Sequence, residues 1–299
     1  MESRFTVPEV RHSRTLKTAS VLTLVSQIII VLTGGLVRLT ESGLGCTDWP
    51  HCTPESFFPV PEQGIHPYIE YANRVWGAIV VAIAIWVFIL ALRNVLRGGS
   101  REVLVLSVLI GVITAAQALI GAVVVWLELR PDTVGLHFIL SVILVALSTM
   151  LVWRVFDGPR GERVATTAQT VLAHGASVLF AFVIFMGTLT TGSGPHAGDG
   201  GAVRNGLNTE LMQHLHAWPS YALTVTIIAI IIVAAVRGPK RHLWSAIGLL
   251  AAVMFQMVVG LIQANTGLPI GLVAAHMIGS VLATVAMTTV VLSLKKGTA

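Results

Sequence analysis

Eight long apolar runs constrain this chain more than any other feature of its sequence. Each is about 20 residues long, the length that an α-helix needs to cross the hydrocarbon core of a bilayer. The runs lie at 17–38, 71–92, 102–126, 133–153, 167–191, 215–236, 243–264 and 270–294. Only 11% of the residues are charged, against about 25% in soluble domains. The sequence therefore predicts an all-α integral membrane protein with eight transmembrane helices, and it excludes a disordered chain or an ordinary soluble enzyme.

Lysine and arginine are unevenly divided between the two ends of the predicted spans. One side holds 15 of the 19 basic residues and 5 acidic residues, whereas the other side holds 4 basic and 9 acidic residues. Because basic loops remain in the cytoplasm, we expect both termini to be cytoplasmic in a bacterial cell membrane. The basic composition thus reports the topology of the chain, and we expect no nucleic-acid partner.

The two cysteines, Cys46 and Cys52, lie in the first long loop, at about 39–70, which is predicted to face outward. The outer side of a bacterial membrane is oxidising, so a disulfide formed there persists. This location favours a disulfide between the two residues. Two free thiols, or a metal pair completed by His51, remain as alternatives.

The two halves of the chain share a pattern of residues at a constant spacing. An offset of 139 residues relates three pairs of polar or small residues in the third and fourth spans of each half: Gln117 and Gln256, Gly121 and Gly260, His137 and His276. Four spans per repeat is an even number, so duplicated halves run parallel, related by an axis along the membrane normal. We therefore predict two pseudo-symmetric parallel four-helix bundles, formed by residues 1–160 and 161–299.

Histidines lie near the outer ends of three of the even-numbered spans. His137 and His276 occupy equivalent places in spans 4 and 8, and His214 and His216 open span 6. Imidazole is a common axial ligand of heme iron, and facing helices of a four-helix bundle can supply two of them. A packed histidine is the simpler explanation for any one of these residues, but the repeat favours heme ligands, with His216 preferred to His214.

Span 2 is the counterpart of span 6 and carries a different polar set. Glu70 aligns with Gln213 and Asn73 with His216, while Arg74 lies one turn after Glu70. One interpretation makes Glu70 an acid or base beside a cofactor, with Arg74 near a heme propionate. The other is an interfacial ion pair between them that stabilises the fold by a few tenths of a kcal/mol.

The chain resembles the heme A synthase family over nearly its whole length. The resemblance rests on the glycine-rich exit of span 1, the outer cysteine loop, the start of span 2 and three histidines. These residues are Gly34-Gly35-Leu36-Val37-Arg38, Gly43-Leu44-Gly45-Cys46, Asp48-Trp49-Pro50, Cys52, Glu70-x-x-Asn73-Arg74, His137, His216 and His276.

The resemblance implies eight transmembrane helices in two similar halves and oxidation of the C8 methyl of heme O, through successive hydroxylations, to the formyl group of heme A for cytochrome c oxidase. It implies that His216 and His276 hold a resident heme b in the C-terminal half. It further implies that the N-terminal half takes heme O, with Glu70 as the essential acid and His137 as an axial ligand.

The same resemblance implies a disulfide between Cys46 and Cys52 in the outer loop. The partners it implies are heme O handed over by heme O synthase, membrane lipid and an electron-transfer partner that the sequence does not identify. Homo-oligomerisation remains open.

Asn73 departs from the family pattern, which often has histidine at this place. An amide is a poor ligand of heme iron, so His137 and Asn73 predict a site with one open position, which suits oxygen chemistry. The main alternative is a diheme cytochrome b-type protein that passes electrons between quinol and a partner, and it needs a ligand pair in each half. A heme carrier without catalysis is a third hypothesis, and it has no need of Glu70.

Overall fold

The computed structural model describes residues 13–297, and the eight predicted spans are confirmed as eight helices long and apolar enough to cross a membrane. The helices are α1 Arg14–Leu39, α2 His66–Leu96, α3 Arg101–Trp126, α4 Pro131–Asp157, α5 Thr167–Ser193, α6 Thr209–Arg237, α7 Lys240–Asn265 and α8 Ile270–Leu292. A short 3₁₀ helix, Pro61–Gln63, lies in the first outer loop. Arg4 and Arg11, which contribute to the predicted orientation, lie outside the described residues.

Helices α2 and α6 begin furthest ahead of the apolar runs that predict them. Helix α2 begins at His66, with Pro67 in its first turn, where the missing backbone N–H of proline costs no hydrogen bond. Helix α6 begins at Thr209, and the side chain of Asn208 caps it by accepting from the backbone N–H of Leu211 at 2.8 Å. Hydropathy detects the hydrocarbon core alone, whereas these helices continue into the interfacial region. Polar residues at the starts of spans 2 and 6 therefore belong to helices.

The helices pack in the same neighbour order in each half. In the N-terminal half α1 packs against α2 and α4, and α3 packs against α2 and α4. In the C-terminal half α5 packs against α6 and α8, and α7 packs against α6 and α8. Helices α2 and α4 are thus one of the two diagonal pairs of the N-terminal half, as α6 and α8 are of the C-terminal half.

The halves meet through α1, α4, α5 and α8, with α8 packing against both α1 and α4. A buried cluster at this junction contains Val31, Val145 and Val281. Nearer the outer side, α1 approaches α8 closely, because a Cβ added at Gly35 would lie 2.8 Å from Cε of Met277. A larger residue at this position would require the flexible end of the Met277 side chain to move.

Loops tie the halves together on both sides of the helices. On the side of the cysteine loop, Arg38 at the end of α1 donates to the carbonyl oxygens of His196 and Thr191, at 2.6 and 3.0 Å. On the opposite side, strand β1, Arg160–Arg163, pairs antiparallel with strand β2, Lys295–Gly297. No pattern in the sequence predicts this two-stranded ribbon, which joins the connection between the halves to the chain after α8.

Candidate functional site

The C-terminal half brings His216 of α6 and His276 of α8 together. Their ring centroids lie 6.1 Å apart, with 73° between the ring planes. Nδ1 of His216 lies 2.9 Å from the carbonyl oxygen of Val183 on α5. Because a carbonyl oxygen only accepts hydrogen bonds, Nδ1 carries the proton and Nε2 keeps a free lone pair.

This arrangement fits a heme iron held between two imidazoles. Two metal–nitrogen bonds of about 2 Å each, together with the radius of each ring, span about 6 Å. The separation of His216 and His276 matches this requirement. The tautomer fixed on His216 is also the one that leaves Nε2 able to bind iron.

A glycine on the preceding helix makes room for each of these two rings. A Cβ added at Gly187 of α5 would lie 3.0 Å from Cε1 of His216, and one at Gly260 of α7 would lie 3.3 Å from Cε1 of His276. The side chain of Gln256 supports the second histidine by donating from Nε2 to its backbone carbonyl at 2.9 Å. Each ring therefore packs against the backbone of the preceding helix, in a notch that a side chain at Gly187 or Gly260 would fill.

His214 lies in a different environment from His216. Its side chain is exposed, and its ring stacks on that of Trp218 with centroids 5.8 Å apart. His216 is the residue of the two whose ring lies beside His276. The geometry agrees with the preference that the repeat gives to His216.

His137 in the N-terminal half repeats the surroundings of His276. Gln117 of α3 donates from Nε2 to the backbone carbonyl of His137 at 3.0 Å and to the hydroxyl of Ser141 at 2.6 Å. A Cβ added at Gly121 would lie 3.7 Å from Cε1 of His137, which is ordinary contact. The sequence left the role of the two glutamines open. In the structure, Gln117 and Gln256 lie between helices and hold the backbone carbonyls of His137 and His276.

Asn73 on α2 occupies the place that His216 has on α6. Its Oδ1 lies 2.7 Å from the hydroxyl of Thr33 on α1. The neighbouring Gly34 faces it, because a Cβ there would lie 3.9 Å from the same oxygen. A glycine on an odd-numbered helix therefore faces a polar side chain on the next helix at four positions. The pairs are Gly34 with Asn73, Gly121 with His137, Gly187 with His216 and Gly260 with His276.

Glu70 and Arg74 form a buried pair at the start of α2. Glu70 is 5% exposed, and its Oε1 accepts from Nε and Nη2 of Arg74 at 3.1 and 2.6 Å. Its Oε2 accepts from the backbone N–H of Cys46 at 2.7 Å. Nη1 of Arg74 donates to the carbonyl oxygens of Asp48 and His51, both at 3.0 Å. The predicted i, i+4 pair is present, and it also fastens the cysteine loop to α2.

Cys46 and Cys52 are joined by a disulfide, and both are fully buried. The alternatives of free thiols or of a metal pair with His51 are therefore wrong for this structure. The loop packs tightly on α2, since a Cβ at Gly45 would lie within 2.7 Å of the backbone of His66 and Pro67. Only glycine fits at this approach.

Sequence reasoning missed several residues that shape these sites. Gly121 and Gly260 share the 139-residue offset with the histidines, which was a usable signal for a role beside the rings. Thr33 and Val183 gave no signal, because one acts through a common hydroxyl and the other through its backbone carbonyl.

Comparison with known proteins gives a consistent set of relatives. The chain is 29% identical over 165 residues to a heme A synthase of Exiguobacterium sp., which covers 54% of this chain and 52% of the relative. It is 34% identical over 149 residues to a heme A synthase of Halalkalibacterium halodurans, covering 48% and 47%. These matches span about half the length of either relative.

A longer and more distant match covers most of the chain. A heme A synthase of Bacillus licheniformis is 26% identical over 287 residues, which covers 88% of this chain and 91% of the relative. The family model described as cytochrome oxidase assembly protein matches residues 17–288, from α1 to α8. The chain therefore belongs to the family of cytochrome oxidase assembly proteins.

Proposed function

We propose that this protein is a heme A synthase, which oxidises the C8 methyl of heme O to a formyl group through successive hydroxylations. The proposal rests mainly on one observation: equivalent positions of the two halves carry side chains with different chemical properties. The C-terminal half has two imidazoles 6.1 Å apart. The N-terminal half has His137, an asparagine and a buried glutamate. The relatives named heme A synthase support the same function.

The proposal divides the chain into two functional halves. Residues 1–160 form the substrate half for heme O and include the disulfide loop. Residues 161–299 form the half that holds a resident heme b. The same neighbour order of helices in each half supports this division.

In the C-terminal half, His216 and His276 would hold heme b, which supplies an electron-transfer centre when bound. Val183 keeps the proton of His216 on Nδ1, so Nε2 stays available without a rearrangement. Gln256 holds the backbone of His276, and Gly187 and Gly260 leave space for the rings. The hydrogen bond to Val183 thus fixes the orientation of the His216 ring.

In the N-terminal half, His137 binds the substrate heme O and Glu70 is the acid or base. The Glu70 carboxylate is held in one orientation by the N–H of Cys46 on one oxygen and by Arg74 on the other. A fixed and buried carboxylate can take a proton from a reacting group within hydrogen-bond reach. The nitrogens of Arg74 donate to Glu70 and to two loop carbonyls, so Arg74 positions Glu70, and a contact with a propionate would compete with these bonds.

The location and partners follow from the same proposal. The protein is a multi-pass membrane protein, and we place it in the bacterial cell membrane with both termini cytoplasmic. Heme O would be supplied by heme O synthase, and electrons would be exchanged with a partner outside this chain. A diheme cytochrome b-type protein is disfavoured, because Asn73, with its oxygen on Thr33, provides no second imidazole in the N-terminal half.

Extraction of pigments from the purified protein tests this function. Heme b together with heme O or heme A supports a synthase, whereas heme b alone at two per chain supports the diheme cytochrome. Replacement of His137 by alanine is the matched control, since it removes the proposed ligand of the substrate half alone. We expect His137→Ala to lose heme O and heme A and to keep one heme b per chain.

A further inference from the structure

Asn73 and His216 are anchored to the preceding helix in the same way but by atoms of different chemistry. His216 is anchored by Nδ1, 2.9 Å from the carbonyl oxygen of Val183 on α5. Asn73 is anchored by Oδ1, 2.7 Å from the hydroxyl of Thr33 on α1. Among the described residues, the other polar atom of each side chain, Nε2 of His216 and Nδ2 of Asn73, has no hydrogen-bond partner.

The hydroxyl of Thr33 decides which polar atom of Asn73 is left free. It has one hydrogen and two oxygens nearby, Oδ1 of Asn73 at 2.7 Å and the carbonyl oxygen of Ile30 at 3.2 Å. The shorter distance is the usual one for an O–H···O hydrogen bond, so the hydroxyl donates to Asn73. The carbonyl of the asparagine is thereby occupied, and its NH₂ group is left without a partner among the described residues.

The free atoms of the two side chains differ in kind. A neutral imidazole offers a lone pair on Nε2, whereas an amide nitrogen offers two hydrogens and no lone pair. His216 can therefore bind a metal through the atom that it leaves free, and Asn73 cannot. The side chain that replaces a ligand in the N-terminal half is a hydrogen-bond donor.

We infer that Asn73, positioned by Thr33, donates a hydrogen bond to a small polar or anionic group bound on the face of the substrate heme that His137 does not occupy. The inference rests on the proposed function, which places heme O in this half. It also rests on the packing of the half, in which α2, with Asn73, and α4, with His137, both pack against α1 and α3. Asn73 would be a catalytic residue by contact, and Thr33 a positioning residue that acts through it.

Carbon monoxide is a suitable probe, because its stretching frequency falls when a donor points at its oxygen. The experiment uses the full chain in detergent, supplied with heme O, reduced and exposed to carbon monoxide. Heme b with two imidazole ligands has no open position and contributes no band. We expect Asn73→Leu, which keeps the shape of the side chain and removes the donor, to raise the C–O stretching frequency above that of the wild type.

Thr33 provides a second and gentler test that covers a failure of Asn73→Leu to fold. Thr33→Val removes the hydroxyl at nearly constant volume and should raise or broaden the same band. Thr33→Ser keeps the hydroxyl and should leave the band where it is.

Three results would overturn the inference, and they are distinguishable. An unchanged frequency in both Asn73→Leu and Thr33→Val would show that Asn73 does not reach the bound group. A lower frequency in these variants would show that Asn73 presents its oxygen. No heme that binds carbon monoxide after supply of heme O would overturn the inference together with the proposed function.

Discussion

The two halves of this protein share a helix arrangement but differ in what they place on α2 and α6. Both anchor a polar side chain of the even helix on the preceding helix and set it against a glycine. In the C-terminal half that side chain is His216, and in the N-terminal half it is Asn73. One turn earlier, the neutral Gln213 of α6 corresponds to the buried Glu70 of α2.

In the proposed function, few differences between the two halves separate electron transfer from catalysis. Both halves have a glutamine that donates to the backbone carbonyl of His137 or His276, and glycines that face the side chains at these positions. The differences lie in one ligand and one charge, together with the disulfide loop that fastens Glu70. A heme iron with two imidazole ligands suits a half that transfers electrons. A heme iron with a free coordination position beside an acid suits a half that carries out the reaction on its substrate.

Removal of an imidazole from the C-terminal half should have the largest effect. We expect His216→Ala and His276→Ala each to abolish the low-spin heme b spectrum, because a bis-imidazole iron needs both rings. His137→Ala is the control and should keep that spectrum. The optical and EPR spectra of the three purified variants check the prediction, and an unchanged low-spin heme b in both C-terminal variants would refute the ligand assignment.

Replacement of Glu70 by glutamine makes the N-terminal half resemble the C-terminal half at this position. We expect the production of heme A to fall by about 100-fold or more, the usual loss when a general acid or base is removed. Heme b should remain bound, and heme O or a hydroxylated intermediate should accumulate. Glu210, which is exposed in the first turn of α6, provides the control Glu210→Gln. Near-normal production of heme A by Glu70→Gln would mean that Glu70 serves only to hold the loop.

The glycine notches allow a graded test of how tightly each half holds its ring. Gly187→Ala should weaken the binding of heme b, because the new Cβ would lie 3.0 Å from the His216 ring. Overpacking of this kind costs about 1–3 kcal/mol, which is about 5- to 150-fold in affinity. Gly121→Ala, with 3.7 Å to His137, is the matched control and should leave heme O binding unchanged. Equal losses in both halves, measured by heme titration, would show that the contact distance does not matter.

The disulfide exists in the N-terminal half alone among the described residues, and its removal should have the smallest effect. We expect Cys46→Ser with Cys52→Ser to lower the stability by about 2 kcal/mol, from the entropy of a short loop. Thermal unfolding in detergent measures this loss. Alkylation of the wild type without reductant should modify neither cysteine, and labelling of both would contradict the bond.

The sequence was sufficient to predict the helices and to pair the histidines at equivalent positions of the two halves, because both depend on patterns that a chain shows directly. Long apolar runs identify the spans, and the 139-residue offset pairs His137 with His276. The proximity of His216 to His276 follows from the expectation that facing helices of a bundle supply ligands.

The partners of Glu70 and Asn73 could not be predicted in the same way. Glu70 accepts from the backbone N–H of Cys46, 24 residues earlier, and a backbone group leaves no mark in the sequence. The hydroxyl of Thr33 lies near both Asn73 and its own helix carbonyl at Ile30, so only the packing of α1 on α2 selects between them. The ribbon β1–β2 also depends on a contact between distant segments.

In the proposed function, the C-terminal half saturates its heme iron and the N-terminal half leaves one position open. EPR of the oxidised, purified protein before and after the supply of heme O tests it most directly. Before the supply, we predict one low-spin ferric heme per chain, held by His216 and His276. After it, we predict one additional high-spin ferric heme per chain, which disappears in His137→Ala. Two low-spin hemes per chain would contradict the account, because they would require a second strong axial ligand opposite His137.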